Sequence, residues 1–107
     1  MQEQYPNIDE LLHILDTYTI IKEQLPIKDN TYCSGYVIPE DKSIVLNRSN
    51  CFKSNVDTLS HELMHVWYDH YKGIHLKESE IEDIAQRQTV LVPEYRRRLE
   101  ERIYNIK

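Results

Sequence analysis

An α+β fold is predicted, a small antiparallel hairpin sheet packed against three to four helices, and three observations predict it. Apolar residues recur at helical spacing near both ends of the chain. Two short runs rich in Tyr, Val and Ile flank the turn-forming segment Pro39 to Lys42. Between them and the C-terminal helices lies one long two-faced segment, 54 to 72, closed by Gly73.

The first helix is expected from Ile8 to about Glu23, with Ile8, Leu11, Leu12, Leu15 and Tyr18 on one stripe and Asn7 and Glu10 spaced as a capping box. After Pro26 and a polar stretch, Thr31 to Ile38 and Ser43 to Asn47 read as the two strands of a hairpin. Ser54 and Asp57 are placed to cap a second helix that runs to about Lys72, where Gly73 supplies a left-handed stop. A third helix spans 77 to 91 with Ile81, Ile84, Ala85 and Leu91 on one stripe. Pro93 then opens a last helix that turns Tyr95, Leu99, Ile103 and Ile106 inward.

At 107 residues the chain makes one domain, 1–107, with room for a single core. With 40% hydrophobic and 29% charged residues it has the composition of an ordinary globular protein. Thirteen basic against 18 acidic side chains leave a net charge of −5, which repels a phosphate backbone, so no nucleic acid is expected as the main ligand. The two glycines are too few for a phosphate-cradling loop. No apolar run reaches the length of a signal core or a membrane span, so the expectation is a cytoplasmic protein without membrane partners. Cys33 and Cys51 are then expected to be reduced thiols, and they lack the CxxC spacing of a metal pair.

Chemistry concentrates in His61-Glu62-Leu63-Met64-His65. Two imidazoles four residues apart lie one turn apart on a single helix face, where both can reach one zinc ion. Glu62 stands beside them as a general base for a water that the zinc would activate. Leu59, Leu63, Val66 and His70 fall on the opposite face at 100° per residue, making His70 a half-buried core residue. The face with His61 and His65 also carries Thr58 and Tyr68. A helix meeting only solvent there would carry Lys and Glu instead.

A catalytic zinc takes three protein ligands and a water. His70 points away from the pair, and the third His of a metzincin would fall at position 71, which is Tyr71. His75 and the acids Glu78, Glu80, Glu82 and Asp83 remain. On the third helix Glu80 flanks the apolar stripe on the side of Ile84 and Glu78 lies slightly farther round, while any of these acids can serve the helix N-terminus.

A hairpin Gly-Tyr-Val-Ile, turn, Ser-Ile-Val-Leu-Asn precedes Thr-Leu-Ser-His-Glu-Leu-Met-His. The segment Glu-Ser-Glu-Ile-Glu-Asp-Ile-Ala follows, ending soon after in Leu91-Val92-Pro93. In this order, over about Gly35 to Pro93, the chain resembles the ImmA/IrrE type of zinc metallopeptidase, a gluzincin-like family of mobile genetic elements and bacterial stress responses. The resemblance implies a minimal zincin-like fold and zinc held by His61, His65 and Glu80, the last being the acid before the position of the family's Ala, here Ile81. It also implies Glu62 as the catalytic base and a protein substrate such as a transcriptional repressor.

The strand Ser43 to Asn47 resembles the edge strand on which such enzymes lay an extended peptide, and Tyr36, Tyr68 and His75 are candidates for oxyanion support. Two other readings compete. One is a non-catalytic, zinc-containing regulator that binds a repressor or another protein, which would have no use for Glu62. The other is a DNA-binding module, tempted by Arg96 to Arg98, whose charge Glu94, Glu100 and Glu101 offset.

Overall fold

The computed structural model describes residues 5–106, so Met1 to Gln4, part of the polar N-terminus, and Lys107 lie outside the described residues. In chain order the elements are α1 (Ile8–Thr17), β1 (Thr19–Glu23), β2 (Gly35–Ile38), β3 (Ser43–Asn47), α2 (Phe52–His65), α3 (Glu78–Leu91) and α4 (Pro93–Tyr104). A π-helical turn, Val66–Lys72, continues α2. The architecture is α+β, a three-stranded mixed sheet with four helices.

The first helix stops six residues sooner than its apolar stripe suggested. Asn7 caps it, its Oδ1 accepting from Glu10 N at 3.2 Å. At Tyr18 the backbone turns extended, and the β-branched run Thr19, Ile20, Ile21 becomes β1, paired parallel with β3. The expected hairpin is present as β2 against β3, antiparallel, with Tyr36 opposite Val45.

The order β1-β3-β2 makes β3 the central strand rather than an edge, which corrects the reading of Ser43 to Asn47 as a peptide-docking edge. Its near-continuous apolar run fits that place, with Ile44, Val45, Leu46 and Asn47 all buried. The free edge on the side of α2 is therefore β2.

Gly35 opens β2 where strand and helix come closest. A Cβ built there would lie 2.5 Å from Val45 O and 2.8 Å from Thr58 Cγ2, so no side chain fits. Gly35→Ala is expected to destabilise the protein by about 1–3 kcal/mol through overpacking, read as a lower urea midpoint at unchanged slope.

The core gathers Leu11, Ile14 and Leu15 of α1, Ile44 and Leu46 of β3, and Leu59, Leu63 and Met64 of α2, with Trp67 behind them. Ile81 and Ala85 of α3 and Tyr95, Leu99 and Ile103 of α4 close it. Leu91, assigned to the stripe of the third helix, is 67% exposed. A buried polar knot ties three helices together, Ser60 Oγ donating to Ala85 O at 3.0 Å and meeting Tyr95 Oη at 3.0 Å. This knot sets α3 against α2, and the candidate site depends on that packing. No helix among the described residues is long and apolar enough to cross a membrane.

Candidate metal centre

The helix that carries the His pair starts at Phe52 with Cys51 as its N-cap, three residues before the expected Ser54 cap. It runs regularly through His65, so His61 and His65 project from one face as the spacing required. Leu63 and Met64 are fully buried and Leu59 with them. Beyond His65 the wider π turn alters the angular step between residues. Tyr68 consequently turns into the core, 2% exposed, and His70 turns out to solvent, reversing the positions that a uniform α-helix assigned to them. Gly73 ends the segment at φ 66°, the left-handed stop its identity suggested.

Across from this face stands the first turn of α3. His61 Nε2 lies 2.8 Å from Glu78 Oε2, His65 Nε2 lies 3.0 Å from Glu78 Oε1, and the two Nε2 atoms are 3.1 Å apart. One ligand atom from each of His61, His65 and Glu78 falls within 4.8 Å of the others, the geometry of a three-ligand metal site. Among the described residues this His-His-Glu group is the one cluster of its kind.

Glu80, the acid assigned as third ligand, stands elsewhere. Its carboxylate reaches back along its own helix and accepts from Lys77 N at 3.1 Å, the N3 role of a capping box. The acid brought to the imidazoles is Glu78, at the first position of α3. The register of the helix start decides between them. With Lys77 as N-cap, Glu80 is the residue whose side chain folds back on the cap, while Glu78 and Glu82, four apart, share the face toward α2.

Glu82 and Asp69 complete the centre from behind, and neither was singled out as more than one acid among several, or at all. Glu82 Oε2 lies 2.7 Å from His61 Nδ1, and Asp69 Oδ2 lies 3.5 Å from His65 Nδ1. Asp69 also holds His75, Oδ1 to Nδ1 at 3.1 Å. Carboxylates behind ligand imidazoles set the tautomer and the ring plane. With the Nδ1 hydrogen of His61 directed at Glu82, its Nε2 lone pair faces Glu78 Oε2, acceptor against acceptor. A bound cation makes that arrangement favourable, so the donor set fits a divalent metal. Glu82→Gln is expected to weaken metal binding about 10- to 100-fold, measured by competition with a chromophoric chelator.

Glu62 sits beside this group, 8% exposed. Burial pushes its carboxyl up to about 7; His65 pulls the other way, and Glu78 and Glu82 add to the rise. His61, Glu62, His65, Glu78 and Glu82 open on a cleft of about 730 Å³ between β2, the loop before it, α2 and α3. Tyr36 lines the cleft, whereas Tyr68 is in the core and exposed His75 is held by Asp69. Of the three candidates for oxyanion support, Tyr36 alone is among the residues that line the cleft. Tyr32, whose hydroxyl meets Asn50 Oδ1 at 2.5 Å, lines it too and carried no motif that could have marked it. A second depression, about 530 Å³ between β1 and the end of α4, has no His and one acid, Glu23.

Comparison with protein-family models, with curated proteins and with solved structures gives no match to this chain.

Proposed function

We propose that the chain is a zinc-dependent endopeptidase of the ImmA/IrrE type that acts in the cytoplasm on a protein such as a transcriptional repressor. The observation that carries this reading is the convergence of both Nε2 atoms and the Glu78 carboxylate in a cleft that also holds the buried Glu62. Two imidazoles and one carboxylate are a zinc donor set, which in catalytic sites is completed by water as the fourth ligand. Glu78 takes the place in that set which the resemblance assigned to Glu80.

When bound, zinc would acidify a water and polarise the scissile carbonyl. Glu82 would hold the ring of His61 in the tautomer that leaves Nε2 free to ligate, and Asp69 stands on the Nδ1 side of His65. Glu62 accepts the proton of the attacking water and passes it to the leaving amine, a role suited to a carboxyl whose ordinary value has been raised to about 7. Of the candidates for oxyanion support, Tyr36 is the one whose residue lines the cleft, at the start of β2. Peptide chemistry is favoured over small-molecule hydrolysis by the edge strand β2. It is paired on one side with β3 and forms part of the cleft wall, so an extended segment can add to it by backbone hydrogen bonds.

Elemental analysis of the purified protein, followed by incubation of the zinc-loaded chain with candidate repressors, tests the proposal. Near one zinc per chain and a discrete cleavage abolished by chelation are expected. A chain that takes up no zinc after reconstitution would overturn the enzyme reading in favour of a regulator that works by binding.

A further inference from the structure

The cleft's charge and its walls speak to what kind of peptide it takes. Asp57, Glu62, Glu78 and Glu82 line it, and no Lys or Arg stands among the described residues that do. A divalent ion would offset two of those four carboxylates. The Glu62 side chain makes no hydrogen bond among the described residues although the residue is 8% exposed, and it is one of the residues that line the cleft.

Asp57 is the carboxylate that the metal centre does not use. It precedes His61 by four residues, so it stands one turn along the same face of α2, about 6 Å up the helix axis from the ligand pair. Its present partner is Lys53, whose ammonium is 3.0 Å away at the end of an 81% exposed side chain. Exposed pairs of this spacing are worth about 0.3–0.5 kcal/mol, so a better placed cation displaces Lys53 at little cost. The opposite wall includes Tyr32, 47% exposed, an aromatic residue of the kind that can pack against a cationic group.

Resting on the peptidase reading above, we propose that the cleft selects an extended peptide with an Arg or Lys side chain beside the bond presented to the metal centre. Asp57 pairs with that cation, and Tyr32 flanks it. A peptide laid along β2 puts alternate side chains on one face, so a single residue of the segment meets this subsite. Acidic side chains at the same position meet like charge and are rejected.

Three labelled decapeptides that differ only in Arg, Gln or Glu at one central position provide the test. Their binding to the full chain is measured by fluorescence anisotropy, metal-free and zinc-loaded, at two salt concentrations. The Arg peptide is expected to bind at least about tenfold more tightly than the Glu peptide in both forms, with the ratio shrinking as salt rises. Asp57→Asn should bring that ratio toward one, and Asp57→Lys should invert it. Equal binding of the three peptides, no binding of any, or a ratio untouched by Asp57→Asn would overturn the proposal. Hydrolysis of the same peptides by the zinc-loaded chain is scored separately. Selective binding without cleavage removes the peptidase reading and keeps the subsite, whereas cleavage without selectivity removes the subsite and keeps the peptidase.

Discussion

Glu78→Gln is expected to weaken zinc binding by at least about a hundredfold, while Glu80→Gln leaves it within about twofold, because one side chain is a candidate ligand and the other a helix cap. Gln can still accept the Lys77 N–H, so Glu80→Gln keeps the cap as well. In Glu78→Gln the amide has one oxygen to offer two imidazoles that now share both carboxylate oxygens, and it brings no charge against the cation. Chelator competition on the purified variants reads the difference directly. Equal zinc affinity in the Glu78 variant and the wild type would remove this acid from the ligand set.

Glu62→Gln is expected to do two opposite things at once. Zinc content stays near that of the wild type, and the rate of peptide cleavage falls by about 10²–10⁴, the usual worth of a positioned general base. Stability of the metal-free protein should rise, and the pH window follows from the sign of the shift. The folded carboxyl titrates near 7 and its ordinary value is 4.5, so folding opposes its ionisation. No cost exists below the lower value, where the group is protonated in both states. Between the two the cost grows as pH rises, and above about 7 it is fully present, on the order of 3 kcal/mol. Glu62→Gln therefore raises the melting temperature of the metal-free chain by several degrees at pH 8 and leaves it unchanged at pH 4. An identical gain at both pH values would mean that shape, not charge, accounts for it.

What could be read without the structure were features carried by local spacing. His61 and His65 share a face because four residues make about one helical turn, and no tertiary contact is needed to know it. Glu62 beside them, the cap at Asn7, the stop at Gly73 and the hairpin around Pro39 to Lys42 are equally local, and each is present. The buried Leu11, Leu15 and Tyr18 of the first stripe and Tyr95, Leu99 and Ile103 of the last follow from the same periodicity, which did not mark the equally buried Ile14.

Features that depended on which element packs against which were decided only by the tertiary structure. Residues 19–23 continue the apolar pattern of α1, but a parallel place beside β3 offers them a ladder of backbone hydrogen bonds that a longer helix would forgo. That extra strand turned Ser43 to Asn47 from an edge into the sheet's centre and left β2 to form the cleft wall. The acid that reaches the imidazoles was beyond the sequence for a related reason. Glu78 and Glu80 differ by two residues, about 200° around a helix, and choosing between them required the helix start to be known to the residue. Asp69 and Glu82 became partners of the His rings once α3 and the π turn were set by buried contacts such as Ser60 with Ala85 and Tyr95. Periodicity assigns a side chain to a face of its own helix; the other helix that this face meets is chosen by the core, from residues far apart in the chain.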